Sequence, residues 1–291
     1  MNATLSLDLD NKWSYMKTHG DPGWESFPSY LDLVVPRFLD FLAARRLRIT
    51  VFVVGQDAEL EKNAQALESI AAAGHEVGNH SFHHEPWLHR RSEEEIDREI
   101  ARAEAVIEDV TGRRPLGFRG PGFTRSETIL RVLARRGYAY DASTLPTWIG
   151  PLARAYYFKT AKLDASSMRE REALFGKLAD GLARNRFHRV ETSAGALAEI
   201  PVTTMPILRV PIHVSYLLYL SAVSPALARR YFGFALALCR ITNTEPSILL
   251  HPLDFLGGDD CPELAFFPAM NMRAKEKLEI VDFACNTLAE S

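Results

Sequence analysis

The chain has 291 residues, 47% of them hydrophobic and 24% charged, which is enough apolar material for a full globular core. Its 34 basic and 37 acidic residues leave a net charge of −3, a composition with no electrostatic footprint for nucleic acid. The three cysteines, Cys239, Cys261 and Cys285, are too few and too far apart for a zinc knuckle or a disulfide framework.

Residues 3–9 are buried in character and predict a strand that begins almost at once, without the basic start and longer apolar run of a secretory signal. Together with the cysteine usage this points to a reducing cytoplasm. Asn11 to Ser29 reads as a long loop carrying Trp13, Tyr15 and Trp24 with His19 and Asp21. Its aromatic rings suit either stacking on a sugar face or pinning the loop by burial. A helix is expected over 30–46, with Leu31, Val34, Val35, Phe38 and Leu42 on one face, and a β-branched strand over 49–54. A helix over 57–73 stops at Gly74, and a short strand over 75–80 runs into His80-Ser81-Phe82-His83-His84.

Ser92-Glu93-Glu94-Glu95 is a capping box that opens a helix with Ile96, Ile100, Ala103 and Ile107 on its apolar face. Residues 116–119 form a strand, 127–136 a helix stopped by Gly137, and 138–141 another strand. This alternation calls for a parallel sheet or barrel. From 143 to 199 it breaks down, reading as an insertion with one helix near 168–184, after which 200–204 returns to the sheet. The segment from Val210 to Ile241 is strongly apolar but interrupted by Pro211 and Pro225. It is expected to be a buried helical cap, with a lip that meets a membrane surface or a polyprenyl tail as the sharper alternative. A strand over 247–251 ends in His251, and a helix over 273–288 closes the chain. The expected organisation is one catalytic domain over 1–291, with 143–246 partly an insertion or cap.

Asp8, Asp10, His80, Arg119, Asp141 and His251 all fall at or just past the ends of predicted strands, where parallel α/β folds collect their chemistry. Asp10, His80 and His84 offer one oxygen and two nitrogens to a divalent ion and leave positions open for water and substrate. Zinc is the default ion, and the same set accepts iron, cobalt, nickel or manganese. Spacing of four lets His80 and His84 face the same way in a helical turn, with His83 and His89 as decoys. Asp8 lies two residues before Asp10 on the same side of a strand, so one carboxylate can bind metal while the other takes a proton.

This ordered set resembles the polysaccharide deacetylases, metal-dependent carbohydrate esterases that remove acetyl groups from sugars. The matching pieces are Ser6-Leu7-Asp8-Leu9-Asp10, His80-Ser81-Phe82-His83-His84, Phe118-Arg119-Gly120-Pro121-Gly122, Tyr140-Asp141-Ala142-Ser143 and Leu249-Leu250-His251-Pro252. The resemblance implies a distorted (β/α) barrel, commonly of seven strands. It implies Asp8 as general base, Asp10, His80 and His84 as metal ligands, and Arg119 as the arginine holding the base. His251 is implied as the general acid and Asp141 as a partner that tunes it. Leu9 separates two aspartates that adjoin in many members, a form familiar among deacetylases of cell-wall and lipid-linked sugars. Leu253 stands where an aromatic residue often follows His-Pro.

The expected activity is removal of an N-acetyl group from an amino sugar of a polysaccharide or lipid-linked glycan. Hydrolysis of a non-sugar C–N bond and an inactive sugar-binding relative are the alternatives. A non-haem iron oxygenase also uses two histidines and a carboxylate, but it has no place for Asp8, Arg119 and His251.

Overall fold

The computed structural model describes residues 2–152, 155 and 177–290. Among the described residues eight strands form one sheet: β1 (Thr4–Asp8), β2 (Thr50–Val53), β3 (Glu76–Asn79), β4 (Gly117–Phe118), β5 (Tyr140–Asp141), β6 (His188–Thr192), β7 (Gly195–Glu199) and β8 (Ser247–Leu250). Their order is β6-β7-β5-β4-β3-β2-β1-β8, and every pairing is parallel except the β6–β7 hairpin. The parallel part therefore has the seven strands expected, and β6 is an addition at the edge. It escapes a sequence reading because His188-Arg189-Val190-Glu191-Thr192 has a single apolar residue, as suits an edge strand.

The sheet curls. Beyond β7, Ile200 N donates to Asp141 O and Val202 N to Thr144 O, while the next residue, Thr203, donates to Ser247 O at 2.9 Å. The stretch 200–204 thus reaches from β5 to β8 at the far end of the strand order. The return to the sheet expected there takes this form, as an extension outside the regular ladder.

Helices pack on the outside: α1 (Lys12–His19), α2 (Leu31–Ala44), α3 (Gly55–Glu59), α4 (Ala64–Ala72), α5 (Glu93–Thr111), α6 (Glu127–Arg135), α7 (Val214–Ser221), α8 (Pro225–Ile241), α9 (Pro252–Phe255) and α10 (Ala274–Ala289). The five apolar residues expected on α2 are all buried, as are Ile96, Ile100, Ala103 and Ile107 of α5. The Ser92–Glu95 capping box closes with bonds of 2.8 and 3.3 Å. One main core joins α2, β1, β2, β8, α7, α8 and α10, and a smaller one lies between α5, α6, β4 and β7.

Three expected elements differ. The loop after Asp10 is largely helix α1, because Asn11 caps it by accepting from Lys12 N at 2.8 Å and Gly20 ends it in a left-handed conformation. The helix expected over 57–73 is broken at Leu60, which is extended, so α3 and α4 are separate. Of the helix expected near 168–184, Met168 and its neighbours through 176 lie outside the described residues, and Leu178–Leu182 forms a 3-10 turn. The apolar segment from Val210 becomes α7 and α8, broken by Ser224-Pro225. Leu217 and Leu218 are each 1% exposed and belong to the core, whereas Val223, Leu227, Phe234 and Ile241 face outward. Among the described residues no helix is long and apolar enough to cross a membrane.

Candidate active site

The parallel strands deliver their last residues to one rim. Asp8 ends β1, Asp141 ends β5, and His80, Arg119 and His251 directly follow β3, β4 and β8. Backbone bonds fix these exits, with His80 N donating to Val53 O at 2.9 Å and Arg119 N to Asn79 O at 3.0 Å.

Asp8 and Arg119 form a buried ion pair, with Arg119 Nη1 2.7 Å from Asp8 Oδ1 and Arg119 only 1% exposed. The guanidinium also donates to Ser6 Oγ and to Ala142 O, each at 2.9 Å, and its carbon lies 4.4 Å from the centre of the Phe52 ring. Three acceptors and an aromatic face leave the arginine one orientation, and it in turn fixes the carboxylate.

Asp10, His80 and His84 converge: one ligand atom from each lies within 4.8 Å of the others. His84 Nε2 is 2.9 Å and His80 Nε2 3.4 Å from the same oxygen, Asp10 Oδ1. His80 Nδ1 lies 2.6 Å from Arg119 O. A carbonyl only accepts, so Nδ1 carries the hydrogen and the lone pair sits on Nε2, turned to Asp10. The donor set therefore suits a divalent ion. Burial alone would raise the Asp10 carboxyl, but the charge and hydrogen bonds of His84 and His80 outweigh it and hold Asp10 well below the usual range. Burial alone would lower His80, yet Asp8 and Asp10 overcome it and raise that imidazole.

The histidine loop is not the helical turn expected from its spacing. Ser81 and His84 both have positive φ, at 61° and 54°. Side chains hold this strained shape: Asn79 Oδ1 accepts from Ser81 N at 2.8 Å, and Glu99 Oε1 accepts from Phe82 N and His83 N at 3.0 and 2.6 Å. Glu99 also binds the His83 ring at 2.7 Å, which draws that decoy out to 47% side-chain exposure. The other decoy, His89, bonds Thr124 Oγ1 at 2.7 Å.

A second support lies beneath Asp10. Buried Asp57 accepts on Oδ1 from Asn11 Nδ2 at 2.7 Å, Trp13 Nε1 at 2.9 Å and Asn63 Nδ2 at 3.2 Å. Burial pushes its carboxyl up to about 7. Trp13 is buried and meets the His84 ring edge-on at 6.4 Å, while Tyr15 packs on Phe267 at 5.1 Å. The two rings thus pin the segment. Trp24 is half-buried with Lys17 Nζ 5.2 Å from its ring centre, and Trp148 donates to Leu208 O at 2.8 Å.

His251 Nδ1 is 3.0 Å from Ser215 Oγ, Ser215 donates to Asp254 Oδ1 at 2.8 Å, and His251 N donates to Asp254 Oδ2 at 2.8 Å. Asp141 is engaged elsewhere. It accepts from Ser143 Oγ at 2.5 Å, and Ser143 accepts from Gly120 N at 2.8 Å. Arg125 Nε stands 3.5 Å from Asp141 and 3.2 Å from Glu199. Burial, and then the Glu199 charge, hold Asp141 well above the usual carboxylate range. Its described contacts brace the loop after Arg119, and the partners expected of Asp141 at His251 are Ser215 and Asp254 instead. In that loop Gly120 is required, since a Cβ there would lie 2.2 Å from Thr124 O.

Residues 21–140 match the polysaccharide deacetylase family. That match covers less than half of the chain, and over it the chain is similar to that family. A peptidoglycan deacetylase from Helicobacter pylori is 31% identical over 111 residues, 38% of this chain and 37% of that protein. The chain therefore spans little more than a third of the length of that relative. Among solved structures, a polysaccharide deacetylase candidate from Mycobacterium smegmatis superposes over 98% of this chain and 85% of its own, with a TM-score of 0.60 at 20% identity. PuuE allantoinase superposes over 98% of this chain and 84% of its own, with a TM-score of 0.57 at 16% identity. Both likenesses show the curled α/β fold and nothing beyond it. Within that fold Asn79, Glu99, Asp57, Ser215 and Asp254 are supports that motif reading passed over. Glu99 had a signal, a charge in line with the apolar stripe of Ile96, Ile100 and Ala103.

Proposed function

We propose that this protein is a metal-dependent hydrolase that removes the acetyl group from an N-acetylated amino sugar of a glycan. The reading is carried by the convergence of Asp10, His80 and His84 on one point of a rim that also holds the buried Asp8–Arg119 pair. The match of residues 21–140 to the polysaccharide deacetylase family and the similarity to a peptidoglycan deacetylase support the substrate class. Asp10, His80 and His84 would hold the ion, with zinc the first choice for one carboxylate and two imidazoles. When bound, a divalent ion supplies Lewis acidity, which polarises a carbonyl and eases the ionisation of water.

Asp8 takes the proton of the attacking water, and the hydrogen bond from Arg119 keeps that carboxylate aimed. His251 gives a proton to the amide nitrogen as its bond to the acetyl carbon breaks, so amine and acetate leave. Acetate release from N-acetyl-chitooligosaccharides, by protein loaded with zinc or cobalt, tests the reading. Turnover of a cyclic amide, with no acetate from any N-acetyl sugar, would replace it with hydrolysis of a non-sugar C–N bond.

A further inference from the structure

Two imidazoles stand at the end of β8, His251 and His213, with ring centres 6.0 Å apart. They differ in what surrounds them. His213 is buried, and its Nδ1 has no hydrogen-bond partner among the described residues. Burial, with the charges of His251 and Arg119, depresses it to about 3, so it stays neutral. His251 instead has a hydroxyl and a carboxylate behind it.

We infer that Ser215 and Asp254 form a hydroxyl-bridged relay that locks the hydrogen of His251 on Nδ1 and leaves Nε2 as the only nitrogen that exchanges a proton. The catalytic part of this inference rests on the deacetylase reading. Both oxygens of Asp254 are used, Oδ1 by the Ser215 hydroxyl and Oδ2 by His251 N, each at 2.8 Å. A hydroxyl has one hydrogen. Once Ser215 gives it to Asp254, Ser215 Oγ can only accept from the ring nitrogen 3.0 Å away. Nδ1 is then protonated in both the neutral and the charged ring.

Charged groups surround this relay. Lys277 of α10 stands behind Asp254, donating to Leu253 O at 2.9 Å. Burial raises the Asp254 carboxyl above its ordinary value, and the ring of His251, the hydrogen bonds from His251 N and Ser215, and Lys277 act against that rise. The buried Tyr15 hydroxyl feels the Asp254 charge from the other side. During turnover the Nε2–H bond breaks as an N–H bond forms on the leaving amine, and the electron pair stays on Nε2. Ser215 keeps its hydrogen and Asp254 its charge, which makes Ser215 a positioning residue.

Nitrogen NMR of the His251 ring in the metal-loaded protein reads the relay without any substrate. Nδ1 should remain protonated while Nε2 titrates. In Ser215→Ala the neutral ring should become a mixture of tautomers and titrate at lower pH. In kinetics, Ser215→Ala should move the alkaline limb of kcat/KM down by about one pH unit and lower kcat about tenfold, with KM, metal content and melting unchanged. Ser215→Thr should restore the profile, and Asp254→Asn should shift it in the same direction as Ser215→Ala. An unchanged His251 titration in Ser215→Ala overturns the relay whatever the substrate is. A loss confined to KM or to melting also overturns it. If the parent protein releases no acetate from any N-acetyl sugar, the deacetylase reading falls, and the NMR result still judges the relay.

Discussion

Asp8 and Arg119 form one contact that serves the fold and, on the proposed mechanism, the chemistry. Two charges buried in contact are tolerated only because each satisfies the other, and removing one leaves the second stranded. Arg119→Ala is therefore expected to cost about 3–5 kcal/mol of stability as well as activity, read as a lowered denaturant midpoint. Asp8→Asn keeps the shape and can still accept from the arginine. It should fold, retain its metal and lose about 10²–10⁴-fold in kcat, and a near-parental rate in acetate release would require another base. Asp10→Ala, His80→Ala and His84→Ala should each lose the ion by elemental analysis, since a three-ligand site loses a third of its donors. The convergence of Asp10, His80 and His84 was legible because a metal set would impose such residue types and spacing on a sequence. The placement of Asp141 was not, since a motif records which residues recur and carries no information on which neighbour each one faces. Ser215 was invisible for a related reason: a serine in the first turn of a helix has an ordinary local role, and its bond to His251 is set by the packing of α7 on β8.

At the scale of elements, the segment from Asn11 to Asn63 is organised around one buried carboxyl. Asp57 ties α1 to the turn between α3 and α4 through Asn11, Trp13 and Asn63, and so sets the course of the chain just beyond Asp10. This explains why a helical period over 57–73 does not give one helix: the side chain that should be a solvated first-turn acid is drawn inward. Burial raises Asp57 from the ordinary carboxylate range to about 7, so its protonated form is favoured in the folded state. The stability it contributes is complete below about pH 4 and is lost as pH rises through about 7. In metal-free protein Asp57→Asn, neutral at every pH, should flatten this decline and be more stable than the parent by about 2 kcal/mol above pH 8. Urea midpoints across that range check it, and a variant that loses stability in parallel with the parent would reject the assignment. Helix α7 gives a contrasting case. Leu217→Asp places a charge in the core and should cost more than about 3 kcal/mol, so its melting temperature should collapse whether or not lipid is present. A membrane-facing role for this region has to be tried at Leu227 and Phe234, which face outward.

For the whole molecule, the parallel order was readable because alternating strand and helix periods admit few topologies, and each helix stop at Gly74, Gly112 and Gly137 falls on a left-handed residue. The curl was not readable, because it depends on 200–204 bonding to both β5 and β8, and a five-residue stretch does not state its partners. A curled sheet with the proposed ligands on one rim would give a metal held there a mechanical role. Asp10 follows β1 while His80 and His84 follow β3, and β2 lies between, so an ion held by all three spans two strand gaps. An ion that binds the folded chain alone stabilises it by about 2.7 kcal/mol at a hundredfold excess over Kd, or roughly 5–10 °C in a protein of this size. Protons compete for the same lone pairs. Burial disfavours the charged form of His80, but Asp8 and Asp10 outweigh burial and raise that imidazole, so proton competition begins at a higher pH than for an ordinary histidine. The rise in melting temperature caused by zinc should therefore shrink steadily as pH is lowered and vanish in His80→Ala. Calorimetric scans with and without a chelator measure it directly, and an equal zinc-dependent rise in His80→Ala would place the ion elsewhere.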